Sequence, residues 1–219
     1  MRVESIQVGQ PKPMPAGVPG TEPAPRLMTT AIWKEPVTGP VRLDVDGLEG
    51  DAQADRKHHG GLWRAVLMYP AEHYPRWRAE WGHDDVGPGG FGENLTVSGL
   101  DEFGACLGDQ YRIGAALLEV TSPRTPCHVL ARRHGLKDLV VTTRETHRHG
   151  WYLRVLEPGV IAAGLPLELV ARPHPEWTVA RAADVKWDAG NRREEAARLA
   201  ACPALIPEWR EELAAELRR

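Results

Sequence analysis

Residues 110–127 read QYRIGAALLEVTSPRTPC, and this stretch decides the fold class. QYRIG and AALLEVTS are short β-rich runs with a glycine between them, and the second leads through a proline-bracketed Arg124-Thr125 pair to a single thiol, Cys127. Runs of the same kind recur from residue 1 to about 172: RVESIQVG, TTAIWK, VRLDVDGL, AVLMYP, ENLTVSGL, WYLRVLEPG and LPLELVARP, broken by glycine and proline. Many short strands at close spacing predict a mainly β unit, a barrel or a sandwich. In PAEHYPRWRAEWG, Tyr74, Trp77 and Trp81 recur at helical spacing, so an inserted helix turns these rings to the core, with Pro75 in its first turn. The Pro/Gly-rich residues 10–25 read as a long exposed loop.

After Arg172 the composition turns to alanine, glutamate, arginine and leucine, with helical segments at TVARAADVKWD, REEAARLAAC and PEWREELAAELRR. The chain is therefore divided into a β domain at 1–172 and a small C-terminal α-helical domain at 173–219. Trp177, Trp187 and Trp209 predict a buried face on these helices, with the barrel, a second subunit or another protein as its cover. No repeat at solenoid periods is present.

A formal net charge of -3 over 219 residues gives no field that would gather bulk nucleic acid or an anionic membrane. The N-terminal MRVESIQVG lacks the pattern of a signal peptide, and no apolar run is long enough to span a bilayer, so a cytoplasmic protein is expected. The 3 cysteines are widely spaced without a CxxC pair, which argues against a disulfide framework or a structural zinc cage. No HExxH is present. Cys106 and Cys202 lie in apolar surroundings and read as packing residues.

Three clusters carry chemistry. In GLEGDAQADRKHHGGLWRAVLMYP, His58 and His59 precede Gly60 and Gly61, a pattern for imidazoles beside main-chain amides that approach a ligand, or for a tight turn with solvated histidines. Asp51 and Asp55 are candidates to orient an imidazole, or to cap the turn. GPGGFGENLTVSGL has neither GxGxxG nor a Walker lysine, which leaves a glycine-rich hairpin beside Glu93 and Asn94 as the plain reading. Pro123 and Pro126 stiffen the mount of Cys127, as suits a metal ligand or nucleophile, while a buried thiol acting as a small hydrophobe is the usual role of a lone cysteine. In RHGWYLRVLEPG, Tyr152 and Arg154 share one face of a strand, and Arg154 there needs an anion, either a structural carboxylate or a bound phosphate. On chemistry alone a cysteine hydrolase, with Cys127 as nucleophile, His59 as base and glycine-loop amides as oxyanion hole, stays open.

Taken together and in order, GLEGDAQADRKHHGG, AVLMYPAEHYPRW, GGFGENLTVSGL, GDQYRIGAALLEVTSPRTPC and GWYLRVLEPG resemble the MOSC domain in its bacterial YiiM-type branch, and PEWTVARAADV resembles the three-helix domain that follows it there. The resemblance covers almost the whole chain. It implies a closed β-barrel with inserted helices and a cleft for a pterin-based molybdenum cofactor (molybdopterin), with Cys127 as the metal ligand. Gly60, Gly61, Asn94, Arg124 and Arg154 are the positions it suggests for cofactor binding, and His59, held by Asp55, for proton donation. His128 is a departure: relatives often carry tyrosine or lysine there, and a second imidazole beside the thiol would compete as ligand or base. The implied reaction is reduction of N-hydroxylated compounds such as 6-N-hydroxylaminopurine, a detoxification of modified bases, with electrons from an external flavoprotein-type donor. A homodimer is the family expectation. The alternative is a non-catalytic carrier of the cofactor, or of cysteine-bound sulfur, for a partner enzyme.

Overall fold

The computed structural model describes residues 1–15, 27–55, 60–82 and 84–218. The stretch at 110–127 folds as read. Strand β9 (Gln110–Ile113) turns through Gly114 and Ala115 into β10 (Ala116–Pro123), with Ile113 opposite Ala116. Gly114, at φ +55, supplies the positive φ that a two-residue hairpin loop requires. A Cβ there would come within 3.0 Å of the Val160 carbonyl oxygen.

These strands belong to an eight-stranded sheet ordered β13-β9-β10-β11-β7-β8-β1-β4. Its other members are β1 (Arg2–Val8), β4 (Glu35–Pro36), β7 (Val66–Pro70), β8 (Leu95–Ser98), β11 (Trp151–Glu157) and β13 (Glu168–Ala171). Pairing is antiparallel except between β7 and β8, which are parallel. That pair needs a crossover, and α1 (His73–Trp81) with the glycine-rich segment after it provides one. A small sheet of β12 (Gly159–Ile161), β5 (Val41–Asp44) and β6 (Gly47–Leu48) adds a lip.

The expected closed barrel is corrected to an open one. The sheet curls until residues 164–167 reach β1, where Val3 N donates to Leu165 O at 3.0 Å and Leu167 N to Met1 O at 3.0 Å. Among the described residues, no ladder joins the edge strands β13 and β4. Both are short, and β13 pairs with β9 through a register shift, so the curl ends before the rims meet.

A second correction concerns residues 10–25. Lys12–Pro15 forms β2, paired with β3 (Leu27–Thr30) as a two-stranded ribbon, so only part of the expected loop is a loop, and residues 16–25 lie outside the described residues.

All eight residues of β10 are buried. Ala116, Leu118 and Val120 join the barrel core, which continues without a break into α4 (Val179–Trp187), α5 (Arg193–Ala200) and α6 (Pro207–Leu217) through Trp177, Val185, Leu199, Trp209 and Leu213. The barrel is thus the cover for the helices, and Trp177 and Trp209 are buried while Trp187 is only partly so. Thr178 caps α4 by accepting from Arg181 N at 3.1 Å, and Pro207 opens α6. No described helix is long and apolar enough to cross a membrane.

A second core lies outside the barrel. It gathers Tyr69, Tyr74, Trp77 and Phe91 with Leu130, Ala131 and Leu139 from two helices not foreseen in the sequence, α2 (His128–His134) and α3 (Leu139–Glu145). Phe91 stacks on Tyr69 at 4.4 Å, and Tyr69 takes a hydrogen bond of 2.6 Å from Trp77 Nε1. This aromatic block fixes α2, and α2 begins directly after Cys127.

Candidate functional site

The segment that follows β10 and the start of β11 build one wall of a cavity of about 340 Å³. Beyond Pro123 the ladder persists for one more bond, from Arg124 N to Gly150 O at 3.0 Å. Thr125 and Pro126 then lead to Cys127, held extended at φ -118, ψ 164 as the N-cap of α2. The thiol-bearing residue is half-buried and lines the cavity beside Arg124, His128, Val129 and Tyr152. The stiff mount read from the prolines thus presents Cys127 to a cavity, whereas Cys106 and Cys202 are buried as packing residues.

Arg124 is only 4 % exposed, yet its Nη1 has no hydrogen-bond partner among the described residues. A buried cation with an unused donor requires explanation, since nearly all such groups in folded proteins are paired. Tyr152 lies beside the same guanidinium in the cavity wall. Burial pushes the Tyr152 hydroxyl above its ordinary range, while the charge of Arg124 pulls it back and Cys127 opposes that pull. Arg64, from a 3-10 turn at Leu62–Arg64, brings a second guanidinium to the cavity and pairs with Glu208 of α6 at 3.0 Å.

The opposite wall is held by a polar knot. Lys34 and Asp51 form a buried ion pair. Asp51 also accepts from Gly9 N at 2.8 Å and from Asn94 Nδ2 at 2.9 Å, and Asn94 Oδ1 accepts from Leu67 N at 3.1 Å. Burial lowers the Lys34 pKa, with Asp51 opposing. Asp51 is thus more than a turn cap: with Asn94 it ties β1, β7 and β8 to the cavity wall. Asn94 faces the cavity with both ends of its amide bonded inside the protein.

Of the other residues singled out in the sequence, Asp55 lines the cavity. His58 and His59 lie outside the described residues. Gly60 is buried, and Gly61, at φ +91, lines an adjoining hollow of about 500 Å³ that shares Asp51, Ala52 and Gln53 with the first. Arg154 shares its strand face with Tyr152 but is not among the residues lining the cavity. Glu119 meets it at 2.7 Å and its guanidinium lies 4.2 Å over the Trp63 ring, so its anion is a structural carboxylate. Lys34 and Arg64 were missed: each is a single cation beside a strand run, and no spacing in the sequence distinguishes them from surface charges.

The glycine-rich segment turns its amides inward. Glu93, fully buried, accepts from Gly89 N at 2.7 Å, Phe91 N at 3.0 Å and Thr96 Oγ1 at 2.9 Å, and from the Tyr74 hydroxyl. Gly90 N and Gly92 N bond to Gly87 O and Gly89 O. These donors are taken, so this segment is neither a phosphate cradle nor an oxyanion hole, and the hydrolase reading loses that support. Among the described residues no group of three or more His, Cys, Asp or Glu side chains is placed to hold a metal ion by protein ligands alone.

Comparison with known proteins agrees with this architecture. The MOSC domain family matches residues 55–168, and the YiiM-like, 3-alpha helix domain matches 177–219. The Escherichia coli protein YiiM is 38% identical over 188 residues, spanning 84% of this chain and 83% of that one. A Gibberella moniliformis protein named Reductase is 41% identical over 157 residues, 69% of this chain but 28% of its own. The crystal structure of YiiM from Geobacillus stearothermophilus superposes with a TM-score of 0.81 at 35% identity, covering 99% of this chain and 98% of that one. A MOSC match over half the chain, the 3-alpha match behind it and a relative of this identity and coverage lead to one conclusion: the chain belongs to the MOSC domain family, in its YiiM-like form with a C-terminal 3-alpha domain.

Proposed function

We propose that this chain is an oxidoreductase that uses a molybdenum cofactor to reduce N-hydroxylated compounds, 6-N-hydroxylaminopurine among them, to the amine. The observation that carries the reading is the buried Arg124 guanidinium, whose Nη1 lacks a partner among the described residues, in one cavity with the half-buried Cys127. The donor set fits a pterin-based cofactor: a thiolate is a soft ligand for its metal, and two guanidiniums suit its phosphate. A volume of about 340 Å³ also lies in the range of cofactor and ligand sites. The similarity to a fungal reductase adds support from outside the site.

Cys127 would hold the metal, and Arg124 with Arg64 the phosphate. The cofactor, when bound, supplies the two-electron redox chemistry that the side chains lack. Conversion of R–NHOH to R–NH2 and water consumes two electrons and two protons. The sequence has no grouped cysteines for an iron–sulfur cluster, so the electrons come from a separate flavoprotein-type donor. Tyr152 sits beside the Arg124 guanidinium, and Leu67, Phe91, Ile32 and Val129 form apolar wall that limits water. His59 delivers a proton near neutral pH, with Asp55 as its orienting partner.

The test is molybdenum per chain in protein from a cofactor-producing host, with reduction of 6-N-hydroxylaminopurine by a chemical electron donor, in wild type and Cys127→Ser. Metal and turnover present in wild type and lost together in the variant are expected. Wild type that carries metal without turnover is a carrier, and wild type that takes no metal when given free cofactor ends the molybdenum reading.

A further inference from the structure

Beside the β10–β11 pair lies a group of buried titratable side chains that the proposed reaction does not use. Glu102 is 1 % exposed, His73 6 % and His149 0 %. Glu102 Oε2 lies 2.8 Å from His73 Nε2, and Glu102 Oε1 accepts from Gly150 N at 2.7 Å. The Gly150 carbonyl in turn accepts from Arg124 N at 3.0 Å and lies 2.8 Å from His149 Nδ1. Both backbone polar groups of Gly150 are therefore held, one by the carboxylate and the other against the cavity arginine.

The geometry admits no other residue there. Gly150 has φ +73, and a Cβ would fall 2.5 Å from Met68 O. His147, three residues earlier, also lies at positive φ, 56. Such backbone persists only where surroundings impose it. They come from the C-terminal helices as well: Ala180 N donates to Glu102 O at 2.8 Å, and Asp184 lies 2.8 Å from His147 Nε2. Burial pushes the Glu102 carboxyl upward, but the hydrogen bond and charge of His73, the nearby His149 and the Gly150 N–H outweigh it and hold the group below its ordinary range. A buried carboxylate is a costly way to satisfy one backbone N–H, and its hold on the same residue that accepts from Arg124 N gives that cost a purpose.

We propose that Glu102, held by His73, is a positioning residue that acts through Gly150 to fix the backbone from which Arg124 reaches the cavity. The role rests on the reading of Arg124 as the anion-binding group of that cavity. It also gives α4 a part in the site, since Ala180 and Asp184 brace the same segment.

The experiment uses the full chain with Glu102→Ala, Glu102→Gln and, as control, Glu80→Gln, whose carboxylate pairs with Arg148 at 2.9 Å and has no part in the Gly150 contacts. Hydrogen exchange at the Arg124 amide and the Kd for inorganic phosphate are measured at a temperature where all variants are folded. Glu102→Ala is expected to speed exchange at Arg124 while β9 stays protected, and to weaken phosphate about tenfold, the size of effect found for residues that orient a binding group. Glu102→Gln keeps an acceptor for Gly150 N and should recover most of the affinity; it also serves if the alanine variant fails to fold. Exchange that rises evenly across the barrel with an unchanged Kd would mean a merely structural role and overturn the inference. Phosphate affinity that is lost in Arg124→Met but untouched in both Glu102 variants overturns the positioning role alone. Wild type that binds no phosphate overturns the reading of the cavity, and this role with it.

Discussion

Replacing Arg124 with methionine separates what the guanidinium does for folding from what it does for binding. A buried donor without a partner costs about 1–3 kcal/mol, and methionine removes it while keeping an unbranched side chain of similar reach. Against that gain stands the polar contact with Tyr152, for which about 1 kcal/mol is allowed. The net change is a stabilisation of about 0–2 kcal/mol, and for a chain of this size each kcal/mol moves Tm by roughly 2–4 °C. Binding should move the other way: a charge-assisted hydrogen bond of about 1.5–3 kcal/mol corresponds to a loss of roughly ten- to 150-fold in anion affinity. Thermal unfolding with calorimetric titration of phosphate, on both proteins, reads the two effects. A Tm that drops several degrees with affinity retained would show that Arg124 is a structural cation, and the reasoning from its unused donor would fail.

Three further outcomes are expected. Glu93→Ala strips the acceptor from the Gly89 and Phe91 amides, Thr96 and Tyr74, and should cost more than about 3 kcal/mol in urea unfolding; a loss under about 1 kcal/mol would mean these donors find other partners. Burial holds His134 at about 4, with its Gly90 carbonyl contact opposing. The unfolded chain binds that proton near pH 6.5, so between about 6.5 and 4 acidification favours unfolding, by at most about 3 kcal/mol. His134→Gln, which keeps a donor for Gly90, should flatten this window in a pH series of denaturation midpoints, and an unaltered slope would assign the effect elsewhere. His59→Gln should lower turnover while molybdenum occupancy survives, and unchanged turnover would remove His59 from the proton path.

The sequence was most legible where a local pattern carries its own cause. Short β-rich runs with a glycine between them gave β9 and β10, Tyr74 and Trp77 at helical spacing gave α1, and the alanine- and leucine-rich tail gave α4 to α6. Two prolines gave Cys127 its extended, directed mount. The family was legible too, because the order of several weak motifs is specific where each alone is not.

Only the folded chain decided the rest. α2 and α3 escaped notice because each is a short segment of seven residues, stabilised by packing on the aromatic block more than by its own pattern. The barrel's opening depends on where the sheet's rims come to rest, which no single strand encodes. Arg124, Arg154 and Arg64 look alike in one dimension, yet one lies buried with a donor that has no partner among the described residues, one meets Glu119 and one meets Glu208. The physical reason is that strand and helix signals act between neighbours in sequence, whereas the worth of a charge is set by the partners and the water that distant segments bring to it or exclude.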